Sequence, residues 1–157
     1  MKKSLLCISL FCLASLAQSH ELWVNAPDHI DSGSVLHADL AYHHDFPYAE
    51  KIAPDREHIF RPLQLTDSKG KTINLVQKGE LNYQYVSAHP LKTGTYWVND
   101  TYQPTFWTNG SNGWKQGNLT NDSTATYCEQ SQMFGKRLLI VGNSTDTAAI
   151  SRPIGQT

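Results

Sequence analysis

An all-β antiparallel sandwich is the fold this 157-residue chain predicts. Three observations lead there. Short runs alternate apolar and polar residues, clusters of Gly, Pro, Asn and Asp punctuate them, and no apolar stripe of helical period persists beyond about three turns. Strands at this spacing with such turns indicate the immunoglobulin-like type of sandwich, and the length suits one domain.

The N-terminus is a segment of a different kind. Met1-Lys2-Lys3 is followed by an apolar run from Leu5 to Leu16 and then Ala17-Gln18-Ser19. A basic start, an apolar core too short to span a bilayer and a small-x-small ending make a secretory signal over residues 1–19, cleaved after Ser19. Cys12 follows the bulky Phe11, which disfavours lipid attachment. The mature domain, 20–157, then begins with His20 and is expected in the periplasm, with no membrane span of its own.

Within that domain Val35 to Tyr42 alternates, offering Val35, Leu40 and Tyr42 to a core. Ile59 to Leu65 is a strand-like run interrupted by Pro62. Asp67 to Lys71 is a turn and Thr72 to Val76 resumes, so a hairpin is expected. Leu81 to Ala88 alternates again. Lys92-Thr93-Gly94 turns into the β-prone Thr95-Tyr96-Trp97-Val98, and Lys136 to Val141 supplies a last apolar strand. Two segments are set apart as long loops: residues 43–57, with little to bury, and residues 103–133, polar but holding Phe106, Trp107 and Trp114. Loops this long in a small domain are usually functional or disordered, and aromatics favour the ordered, functional kind.

Charge and cysteine content narrow the function classes. Losing Lys2 and Lys3 leaves 11 basic residues against 14 acidic ones, a mature charge of about −3. That balance argues against nucleic acid or an anionic membrane surface as partner. Only Cys128 remains after cleavage, so no internal disulfide staples the fold, and Cys128 reads as a buried structural thiol rather than a soft ligand. No nucleophile triad, phosphate-cradling glycine loop or paired-carboxylate site is visible, so an enzyme is not expected.

Histidine carries the chemistry. His29, His37 and His89 read as scattered surface residues. His20 differs, because cleavage would free an α-amino group whose pKa near 8 lets it lose its proton far more readily than a lysine. That amine and the imidazole Nδ1 can chelate one ion, and such nitrogens suit Ni(II), Cu(II), Co(II) and Zn(II). His43-His44-Asp45 adds two imidazoles and a carboxylate. In a strand, adjacent histidines point to opposite faces, so one of the pair would join His20 unless a loop relaxes the restriction.

The ordered stretches His20-Glu21-Leu22-Trp23-Val24, Tyr42-His43-His44-Asp45-Phe46-Pro47, Ile52-Ala53-Pro54-Asp55-Arg56, Pro104-Thr105-Phe106-Trp107-Thr108, Gly113-Trp114-Lys115-Gln116 and Cys128 to Lys136 resemble an exported, uncharacterised-domain family. It is the nickel transport complex subunit family, the periplasmic component of bacterial cobalt/nickel uptake systems. The resemblance covers essentially the whole mature chain. It implies Ni(II) or Co(II) as the bound ion, a membrane metal-uptake transporter as partner, and His20 and His44 as the leading ligands, with His43 and Asp45 beside them and Glu21 a weaker acidic candidate. The family pattern has glycine where His43 stands, so His43 is an extra ligand or an unrelated neighbour. Members run past Thr157, which suggests a chain lacking a C-terminal β portion. Two alternatives stand beside it. A copper-dependent lytic polysaccharide monooxygenase-like enzyme also combines a first-position histidine, a second histidine and a sandwich, and a metal-free interaction or carbohydrate-binding module needs none of these ligands.

Overall fold

The computed structural model describes residues 20–44, 46–148 and 150. The proposed signal at 1–19, Asp45 and the C-terminal stretch 151–157 lie outside the described residues. Among those described, ten strands and one 3-10 turn form, and no helix is long and apolar enough to cross a membrane. In chain order the strands are β1 (Glu21–Asn25), β2 (His29–Ile30), β3 (His37–His43), β4 (Gln64–Asp67), β5 (Thr72–Asn74), β6 (Val76–Lys78), β7 (Leu81–Val86), β8 (Gly94–Gly110), β9 (Gly113–Gln116) and β10 (Tyr127–Val141), with the 3-10 turn at Glu57–Ile59.

They make two sheets. One has the order β1-β3-β7-β6 and the other β2-β10-β8-β4-β5, with β9 paired to β8. All pairings are antiparallel except β2 with β10. A single apolar cluster joins them: Val24, Ala38, Leu40 and Tyr85 from the first sheet meet Leu65, Val98, Leu139 and Val141 from the second. Each sheet hides one face against the other, so the chain is a β-sandwich, as its alternating pattern predicts.

Several elements differ from the sequence reading for identifiable reasons. Val35 is 39 % exposed, whereas Leu36, Ala38 and Leu40 are buried. The alternation of β3 therefore runs through the even-numbered positions, and Val35 lies before the strand. The run Thr72 to Val76 is not one strand. It pairs with β4 up to Asn74, buries Leu75, and pairs with β7 from Val76, so it passes from one sheet to the other. The run 59–65 begins in the 3-10 turn, touches Tyr102 through a bridge at Phe60, and becomes regular only after Pro62, which has no N–H to give a ladder. Cys128 is half-buried on β10 rather than a core thiol.

The largest correction concerns residues 103–133. Most of this expected loop is strand: β8 continues to Gly110, β9 returns along it, and β10 starts at Tyr127. Its two buried positions lie three residues apart and carry hydroxyls, so no apolar alternation marks it. Thr105 and Thr108 are the buried residues of this arm, and hydropathy does not register them. Pro104 fits because the β8–β10 ladder slips between Ser131 and Met133. A bulge leaves it without a pairing partner where its missing donor does no harm.

Beneath β1 the packing is close. A Cβ added at Gly135 would come within 3.1 Å of the Trp23 Cα and 3.3 Å of the Asp100 Cβ, so any larger residue there would have to push β1 or Asp100 aside by a few tenths of an ångström. Asp100 is 1 % exposed, and burial pushes its carboxyl pKa well above the usual carboxylate range against the opposing pull of the Thr101 backbone N–H.

Two measurements check this packing. In urea denaturation, Leu40→Ala should lose about 2–5 kcal/mol, as large-to-small core changes do, while Val35→Ala should stay within about 0.5 kcal/mol; equal losses would contradict the observed phase of β3. A raised folded-state pKa at Asp100 means the unfolded chain gives up that proton first as pH rises above 3.8. Stability of the native protein should therefore fall relative to Asp100→Asn as pH rises from 4, and a rise relative to that variant would refute the buried neutral acid.

Candidate functional site

The site begins with a register. β1 and β3 pair antiparallel, with Glu21 opposite His43 and Leu22 opposite Tyr42. One residue before that first pair, His20 falls opposite His44. Because side chains alternate, His20 and His44 share the face of Leu22 and Tyr42, which is the core-facing one, while Glu21 and His43 take the other. The two imidazoles lie with centroids 3.9 Å apart, tilted by 38°.

An aromatic column supports them. The His20 ring stacks on Tyr42 at 4.6 Å, and Tyr42 stacks on Tyr102 at 5.8 Å. Phe60 meets both tyrosines edge-on, at 5.0 and 5.4 Å. The Trp107 indole N–H donates to the Tyr102 hydroxyl. Arg56 precedes the 3-10 turn, where its N–H bonds the Ala53 carbonyl at 2.8 Å and its carbonyl accepts from Ile59 at 3.0 Å. That turn carries the guanidinium over Trp107, 5.3 Å from the ring centroid, a cation–π distance.

His20 and His44 line an open cleft of about 440 Å³ together with Tyr42, Arg56 and Tyr102. The β8–β9–β10 arm adds Trp107, Trp114, Glu129 and Met133 to the lining. The ladder explains this sharing: Gln116, Trp107 and Glu129 make one rung, and Trp114, Asn109 and Tyr127 another on the same face two residues further out.

Burial pulls the His20 imidazole pKa down to about 4, aided by the neighbouring His44, Arg56 and His43 charges. The ring is therefore neutral at physiological pH, the form a metal requires. Burial, together with Tyr102, pushes the Tyr42 hydroxyl up to about 12 against the opposing pull of Arg56, so it stays protonated.

The four residues singled out as ligands separate accordingly. His20 and His44 are together. The His43 ring is 6.0 Å from that of His44, and its Nε2 pairs with Glu50 at 3.2 Å. Asp45 is outside the described residues. Among those described, no group of three or more His, Cys, Asp or Glu side chains surrounds a common position. Two imidazoles sharing one tetrahedral ion at ~2.0–2.1 Å per bond hold their centroids about 5 Å apart, so these rings must open by about 1 Å to share one. His29, His37 and His89 are exposed, as expected. Arg56 and Met133 received no role from the sequence although they stand in the quoted motifs, Tyr42 was expected only in the core and Trp107 only among the aromatics of a functional loop, and Tyr102 stands in no quoted motif. The β1–β3 pairing brings in Tyr42; the others depend on how the two sheets pack.

A family model described as "Domain of unknown function (DUF4198)" matches residues 17–157. The chain belongs to that family. No curated protein matches it.

The lowered His20 pKa has a direct check. Followed by NMR, the His20 imidazole should titrate near pH 4, and its contribution to stability should be lost as pH falls from 6.5 towards that value, because the unfolded chain takes up the proton first. A midpoint at or above 6.5 would contradict the burial described.

Proposed function

We propose that this member of the DUF4198 family is an exported periplasmic protein that captures Ni(II) or Co(II) and supplies it to a membrane uptake system. The observation that carries the reading is the pairing of His20 and His44 on one face, with the His20 ring held neutral. Cleavage after Ser19 would add the terminal amine to these two imidazoles and complete a set of three nitrogens suited to late divalent metals. Metal binding would displace the ammonium proton, so affinity weakens as pH falls. Nickel or cobalt as cargo, and the transporter as its destination, come from the sequence resemblance. Intrinsic affinity at such a site favours Cu(II) over Ni(II), so supply or coordination geometry must select the ion.

A second reading, a copper-dependent oxygenase acting on polysaccharide, draws on one feature. Trp114 is 54 % exposed and meets Tyr127 edge-on at 5.6 Å beside the same cleft, a platform of the kind that stacks on sugar rings. Reductant-dependent peroxide formation with Cu(II) would favour it, and its absence would remove it.

Calorimetry with Ni(II) tests the first reading. Mature protein, its terminus confirmed by mass spectrometry, is compared with a form carrying one extra residue before His20 and with His44→Ala. Each change should weaken binding at least about tenfold, which is about 1.4 kcal/mol. Equal affinity in all three forms would exclude the site.

A further inference from the structure

We propose that a pocket beside the 3-10 turn, separate from the His20–His44 cleft, binds a neutral sugar as a single pyranose unit. The pocket holds about 400 Å³, within the range of small-molecule sites. None of its described lining residues lines the cleft, so the inference goes beyond metal capture and does not depend on it.

The chemistry of the lining carries the argument. Four side-chain amides meet there: Gln103 from β8, Gln116 at the end of β9, and Asn118 and Asn121 from the turn that follows. An amide offers a carbonyl acceptor and an NH2 donor side by side, and a sugar hydroxyl both donates and accepts. Each amide is already held by one end. Gln103 Nε2 donates to the His58 carbonyl at 3.2 Å, and Gln116 Nε2 lies 2.9 Å from the His58 Nε2. Asn118 Oδ1 accepts from the Thr120 amide at 2.9 Å, and Asn121 Oδ1 from the Asn118 amide at 3.0 Å. The anchored ends orient the opposite ones, glutamine carbonyls as acceptors and asparagine NH2 groups as donors. A polyol therefore meets both kinds of partner, on side chains whose freedom is largely spent before it arrives.

The pocket also has an apolar face. Phe106 lines it while 46 % exposed, and such a ring packs against the C–H face of a pyranose. Gly117 ties these parts together. Its N–H donates to the Phe106 carbonyl at 2.8 Å, and it takes a φ of +139°. A Cβ there would stand 3.1 Å from the Asn121 Cβ and 3.2 Å from its Oδ1, so glycine lets Asn121 lie close against the end of β9. An extended peptide would take its hydrogen bonds from a sheet edge. Here side chains supply them around one aromatic ring, which suits a compact polyol better.

The test uses mature protein beginning at His20, stripped of metal with EDTA, and the methyl glycosides of glucose, galactose, mannose and N-acetylglucosamine. Saturation-transfer NMR reads contact. Proton–nitrogen correlation spectra read the four side-chain amides and the Gly117 backbone amide. At least one glycoside should receive saturation and shift these signals at millimolar concentration. Phe106→Ala and Gln116→Ala should each weaken that binding at least about fivefold, whereas Phe106→Tyr should keep it within about twofold. Both residues are exposed, and circular dichroism checks that the sheets survive. Absence of saturation transfer to every glycoside overturns the proposal. Binding that is indifferent to Phe106 and Gln116 does so too, as does binding that shifts only Trp114 and Tyr127, which would put the sugar on the platform beside the cleft. Contact with trialanine in place of every glycoside would make the pocket a peptide site and equally overturn it.

Discussion

The antiparallel register of β1 against β3 is the constraint on which the candidate site depends. A one-residue slip would turn His20 or His44 to the opposite face and separate the pair. What fixes the register is the core. Val24, Ala38 and Leu40 must face inward together, and any slip would expose them. The interior that stabilises the fold therefore also sets which histidines meet. Gly135 adds to this from the second sheet, because the contact it permits holds β1 close over β10.

From that register the rest of the site follows as layers. The two imidazoles end a core-facing row, Tyr42 and Tyr102 continue it inward, and Phe60 braces both. Packing against this column desolvates His20 and keeps it neutral. The second sheet contributes to the cleft lining through an arm that extends β8 and β10 beyond the core and adds β9. Few apolar residues are buried in that arm, so its order comes from ladder hydrogen bonds on both sides of β8 and from Thr105 and Thr108.

The sandwich was legible in the sequence because most of its strands alternate apolar and polar residues. The β4–β5 hairpin was legible because Asp67 to Lys71 has turn chemistry, and the Asp67 carboxylate does accept from the Lys69 and Lys71 amides at 2.9 Å. The arm was not, since threonine carries its buried positions and hydropathy ranks that residue as polar. His20 and His44 could be chosen from the expected processing and the resemblance. Their direct opposition needs a strand pairing that no local pattern states. Arg56, Tyr102 and Trp107 were harder still, for they reach the cleft from elements that meet only when the two sheets close.

X-ray absorption at the nickel edge of the loaded mature protein tests the central claim most directly. The account predicts a nitrogen-rich first shell with the outer-shell scattering of imidazole, and His44→Ala should remove one protein imidazole from it. A shell without imidazole, or one unchanged in His44→Ala, would contradict the shared site.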